Sequence, residues 1–190
     1  MIDLETVDTK PTSKILSIGA CIFDPNTDAI IDTFSINPDL IDQSFKWVRT
    51  ESASTLEWWL KQPKPAYERA FTNDGRVPFD ESLKSLVAFF HRYSPERTWA
   101  HGVLFDIGIL ENAFAQVGIQ APWSYWEIRD TRTLFESCKV SLTDNKHITS
   151  HVAVEDAINQ ARTVQRASKV ISNWQKPSLV NVVKKWFGKW

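Results

Sequence analysis

Asp3 and Glu5 stand two residues apart in the segment Ile2-Asp3-Leu4-Glu5-Thr6. If that segment is a strand, the pleat turns both carboxylates to one face, where they could share a cation. Taken alone, an Asp-x-Glu at a strand end is more often a pair of solvated charges. Asp106 follows Phe105 at the junction of an expected strand and an expected helix, where α/β folds present side chains at the carboxyl edge of a sheet. Its plainer reading is an acid set against the positive end of a helix dipole. The third segment is His151-Val152-Ala153-Val154-Glu155-Asp156. Residues five apart on an α-helix point about 140° away from each other. His151 and Asp156 can therefore serve one site only if the histidine sits in the loop or first turn and the aspartate inside the helix. His147, four residues earlier, competes with it. Together these side chains offer oxygen ligands for hard divalent cations and an imidazole that titrates near the pH at which a general base works.

The chain must supply elements that bring these segments together. Met1 to Leu4, the apolar run Lys14 to Phe23 and the alternating run Ala29 to Ile36 read as three consecutive strands, the last two joined by the turn Asp24-Pro25-Asn26-Thr27-Asp28. Helical spacing follows from Asp39 to Tyr93, notably in Ser54 to Gln62 and in Phe79 to Tyr93, with Pro63 and Pro65 between them. Short strands at Arg97 to His101 and Glu127 to Asp130 alternate with helices at Phe105 to Val117, closed by Gly118, and at Thr131 to Cys138. Ser141 to Ser150 is polar and turn-like, a long helix runs from His151 to about Asn173 with Ala153, Ala157, Ala161 and Val164 on one side, and Pro177 opens a short amphipathic helix. The expected fold is α/β, three antiparallel strands and then parallel strands in a mixed sheet covered by helices. The chain reads as a single domain over residues 1–190 with a helical extension from about 175.

The segments Ile2 to Thr6, His101-Gly102-Val103-Leu104-Phe105-Asp106 and His151-x4-Asp156, in that order, resemble the three motifs of the DnaQ-like, RNase T-like 3'-5' exonucleases of the DEDDh subclass. Ser54-Thr55-Leu56-Glu57-Trp58-Trp59-Leu60-x-Gln62 and Arg129-Asp130-Thr131-Arg132-Thr133-Leu134 are similar to segments of the small bacterial and bacteriophage members. The resemblance covers roughly residues 1 to 165, and each motif is poor support alone but strong in combination. Relatives often carry Asn where this chain has His101, and the tyrosine-type branch would carry Tyr where it has Val152. The resemblance implies a ribonuclease H-like five-stranded sheet. It also implies two Mg²⁺ or Mn²⁺ ions held by Asp3, Glu5, Asp106 and Asp156, with His151 taking a proton from the attacking water. Two such ions about 4 Å apart neutralise phosphoryl oxygens, activate water and stabilise the leaving alkoxide. Without them, four close carboxylates should show raised pKa values.

The expected substrate is the 3' end of single-stranded DNA or RNA, cut to nucleoside 5'-monophosphates. The backbone near Thr6 would meet the terminal 3' hydroxyl and Phe105 would supply apolar packing, while Arg129 and Arg132 read equally as phosphate contacts or as surface ion pairs. Trp58 and Trp59 are candidates for base stacking, but neighbours on a helix diverge by about 100°, so at most one should reach the site. A net charge of −1 speaks against a protein that coats a duplex, which needs a basic stripe. Two isolated cysteines, Cys21 and Cys138, exclude a disulfide framework or zinc cluster. No apolar stretch is long enough for a membrane span, and the chain is expected in the cytoplasm. By resemblance it is expected to form a homodimer. The rival readings are a catalytically silent nucleic-acid-binding module on the same fold, and an unrelated α/β protein whose acidic segments never converge.

Overall fold

A computed structural model describes residues 1–142 and 151–175. His147, most of the turn-like stretch and the expected helix after Pro177 lie outside the described residues.

Strands β1 (Ile2–Thr6), β2 (Ile15–Phe23) and β3 (Ile30–Ile36) pair antiparallel in sequence order. β2 is apolar on both faces and almost wholly buried, as an interior strand requires, whereas burial along the edge strand β3 alternates residue by residue. The short strands β4 (Thr98–Ala100) and β5 (Ile128–Asp130) add in parallel on the other side of β1, giving a five-stranded mixed sheet of order β3-β2-β1-β4-β5. This is the α/β arrangement expected from the sequence, with β1 at its centre.

The helices follow the expected spacing where their apolar stripe is long. They are α1 (Leu40–Phe45), α2 (Ala53–Leu60), α3 (Lys64–Phe71), α4 (Phe79–Tyr93), α5 (Val103–Val117), α6 (Thr131–Cys138) and α7 (Ala153–Gln175). Ser52 caps α2 by accepting from the Thr55 amide, an interaction worth about 1 kcal/mol. Pro63 and Pro65 do more than separate two helices: they open α3, where a missing amide proton costs nothing.

Alternation along β1 divides the molecule. Ile2 and Leu4 join Ile18, Ala20 and Ala100 in the main core, under Leu83, Leu86, Phe90, Leu110 and Phe114 of α4 and α5. Met1 and Cys21 face the other way and meet Ala157, Ala161 and Val164 of α7. The small alanines let α7 lie close to the sheet, and Gly19 lets it lie closer still. A Cβ on Gly19 would stand 2.1 Å from the backbone of Ala153 and of Val154. Gly19 is the register partner of Asp3, so the first turn of α7 is pressed against the sheet beside that carboxylate.

Candidate active site

The carboxyl ends of β1, β4 and β5 share one edge of the sheet, and β1 is where the chain's order along the sheet reverses, the place where open α/β sheets bind ligands. β1 and β4 are paired only at Ile2 and Ala100. Beyond that pair Gly102, at φ +105°, turns the chain into α5, and Asp106 in its first turn reaches back to accept the Leu4 amide at Oδ1, 3.1 Å away. Asp130, at the end of β5, holds the same turn by accepting the Val103 amide at 3.0 Å.

Asp3 and Glu5 project from β1 toward α7, which brings Asp156 to them. Each of these three carboxylates offers an oxygen within 4.8 Å of the others. Asp3 Oδ1 accepts from the Gln160 amide at 2.7 Å, one turn beyond Asp156 on α7, while Gln160 Oε1 is buried without a partner among the described residues. His151 stands just outside the helix at φ +65°, as the spacing to Asp156 requires, with Nδ1 4.0 Å from Glu5 Oε1. Two indoles that touch each other pack against its ring at steep angles, Trp58 at 4.8 Å and Trp59 at 5.6 Å between ring centres.

Like charges drawn out of water leave a clear electrostatic mark. Burial, then Asp106 and Glu5, holds the Asp3 carboxyl well above the usual carboxylate range. Burial with Asp156 and Asp106 nearby pushes Glu5 up to about 8. Asp106 is pushed up to about 7 by burial, against the pull of the Leu4 amide and Arg132. Burial likewise raises Asp156, with His151 opposing it. Among the described residues no lysine or arginine forms an ion pair with any of the four. Four buried or half-buried carboxyls that no lysine or arginine pairs directly are a donor set suited to a hard cation.

The expected substrate contacts are unevenly placed. Trp58 is 42% exposed beside His151. Trp59 is 1% exposed and donates its indole N–H to the Thr6 carbonyl at 2.8 Å, which makes it a support for the end of β1 rather than a surface for a base. Thr6 is itself buried, its hydroxyl donating to the Asp8 carbonyl. Phe105 is half-buried against the main core. Arg129 is turned to the carbonyls of Trp126 and Ile128 at 2.7 and 2.8 Å, fastening the turn before β5.

Sequence reasoning missed Gly19, Gln160 and the role of Asp130. A glycine inside an otherwise apolar strand does signal close backbone approach, and could have marked Gly19. Nothing in the sequence marks Gln160. His101, which departs from the commoner asparagine, takes part in a 2.9 Å hydrogen bond between its Nδ1 and Thr131 Oγ1.

Among the described residues no helix is long and apolar enough to cross a membrane. The family model described as the 3'-5' exoribonuclease Rv2179c-like domain matches residues 1–168. No curated protein matches the chain.

Proposed function

Because the chain belongs to the 3'-5' exoribonuclease Rv2179c-like family, and is therefore a 3'-5' exonuclease, we propose that it hydrolyses single-stranded nucleic acid, RNA foremost, from the 3' end to nucleoside 5'-monophosphates in the DEDDh manner. The observation that carries this reading is the meeting of Asp3, Glu5 and Asp156 oxygens within 4.8 Å, with His151 4.0 Å from Glu5. Asp3, Glu5 and Asp156 would hold divalent cations, Mg²⁺ or Mn²⁺, with Asp106 completing the set. Bound there, the cations would neutralise phosphoryl oxygens and lower the pKa of water.

The chain's own residues do the rest. His151, its ring packed against both Trp58 and Trp59, takes the proton of the attacking water. Gln160 holds the Asp3 carboxylate in one orientation. Trp58, 42% exposed beside His151, offers aromatic surface for the terminal base, worth about 1 to 3 kcal/mol.

A time course on 5'-labelled single-stranded RNA and DNA with Mn²⁺ should give a ladder shortening from the 3' end, abolished by EDTA. Asp156→Ala should lower the rate by more than about a hundredfold while the circular dichroism spectrum is kept. Oligonucleotide binding that survives EDTA, with no shortening in Mn²⁺, would identify a silent binding module instead.

A further inference from the structure

Arg132 is a cation that the fold holds near Asp106, whose carboxyl it pulls down without pairing it. It follows Thr131 at the start of α6 with its side chain exposed, and among the described residues its guanidinium has no hydrogen bond or ion pair. The carboxylate nearest in sequence is already committed: Asp130 Oδ1 accepts the Thr133 amide and Oδ2 the Val103 amide, both at 3.0 Å. The guanidinium lies over Gly102, its Cζ 3.1 Å from where a Cβ there would stand. It thus covers the first turn of α5, which presents Asp106.

We propose that Arg132 binds the backbone phosphate immediately 5' to the scissile one. The inference rests on the exonuclease reading above. In an in-line displacement the water and the leaving 3' oxygen lie on opposite sides of the scissile phosphorus, so the rest of the strand departs away from His151. The sheet lays the site out in that direction. His151 and Asp156 come with α7, pressed on β2 and β1 at Gly19. Asp106 follows β4, and Arg132 follows β5 at the far edge. Two interstrand steps separate β1 from β5, about 10 Å, which places Arg132 beyond the scissile phosphate and on the path of the next one. A guanidinium fork matches a phosphodiester bidentately, and among the described residues no carboxylate forms an ion pair that would hold it back.

The test compares wild type, Arg132→Ala and Arg132→Lys on two substrates. One is a single-stranded RNA pentanucleotide. The other is the p-nitrophenyl ester of uridine 5'-monophosphate, whose aryl leaving group carries no second phosphate. Arg132→Ala should lower kcat/KM on the pentanucleotide about ten- to a hundredfold, mostly through KM. It should leave release of p-nitrophenol within twofold, and Arg132→Lys should recover part of the loss. Equal losses on both substrates, or none on the pentanucleotide, would overturn the assignment. Fluorescence anisotropy separates this from failure of the exonuclease reading. With Ca²⁺ in place of Mn²⁺, a 5'-fluorescein pentanucleotide should bind Arg132→Ala at least fivefold more weakly than wild type. Equal binding overturns the role of Arg132 whether or not either protein turns over.

Discussion

At the scale of single residues, the acidic centre stores electrostatic strain that a cation should release. Glu5 is raised from 4.5 to about 8 and Asp106 from 3.8 to about 7, so the folded chain keeps protons that the unfolded chain gives up. This contribution to stability is fully present below about pH 4 and is lost as the pH rises through the folded values, toward pH 8. A tenfold difference in proton affinity between the folded and unfolded chain is worth about 1.4 kcal/mol. Thermal unfolding in EDTA should therefore show a Tm that falls by several degrees between pH 5.5 and 8.5. Mn²⁺ should restore more of it at the higher pH. The isosteric change Asp3→Asn should raise the Tm in EDTA while abolishing activity. A Tm in EDTA that climbs over this range would contradict the assignment. The sequence pointed to Asp3, Glu5, Asp106, His151 and Asp156 through three segments that resemble exonuclease motifs in combination, and the fold brings Asp3, Glu5 and Asp156 together. The sequence could not disclose Gln160 or the burial of Trp59, which depend on which side of α7 and α2 meets β1.

At the scale of elements, the site depends on how near α7 comes to the sheet. Gly19→Ala would set a methyl group 2.1 Å from the Ala153 and Val154 backbone, where no flexible side chain can give way. Overpacking against side chains costs about 1 to 3 kcal/mol, and a backbone obstacle should reach the upper end of that range or exceed it. The expected outcome is a Tm lowered by several degrees and loss of the cation-induced rise in Tm, because His151 and Asp156 move with the helix. Retention of that rise in a folded Gly19→Ala protein would show that α7 adapts. Strand β3 and helices α4, α5 and α7 were legible in the sequence through a period of two or 3.6, and β2 through an unbroken apolar run closed by a turn. α1 and α3, six and eight residues long, are too short for a period to declare itself. Their boundaries come from Asp39 and from the prolines of α3 instead.

At the scale of the whole molecule, a net charge of −1 leaves the acidic centre and a few cations to set the grip on a polyanion. With one or two phosphates neutralised by side chains, the salt slope for a single strand is about 0.7 per phosphate. Raising monovalent salt from 50 to 200 mM should then lower kcat/KM on an oligonucleotide by less than about tenfold. A much steeper fall would reveal a longer footprint than the site provides. The mixed order of the sheet was foreseeable from the succession of strands and helices, but its weakest join was not. The antiparallel half and the parallel half meet at the lone Ile2–Ala100 pair, and the next rung is supplied by a carboxylate, Asp106 on the Leu4 amide. Asp106→Ala would therefore unzip a seam as well as remove a proposed cation ligand, while Asp106→Asn keeps an acceptor for that amide. Only the asparagine variant can report on chemistry with the two halves still stitched together.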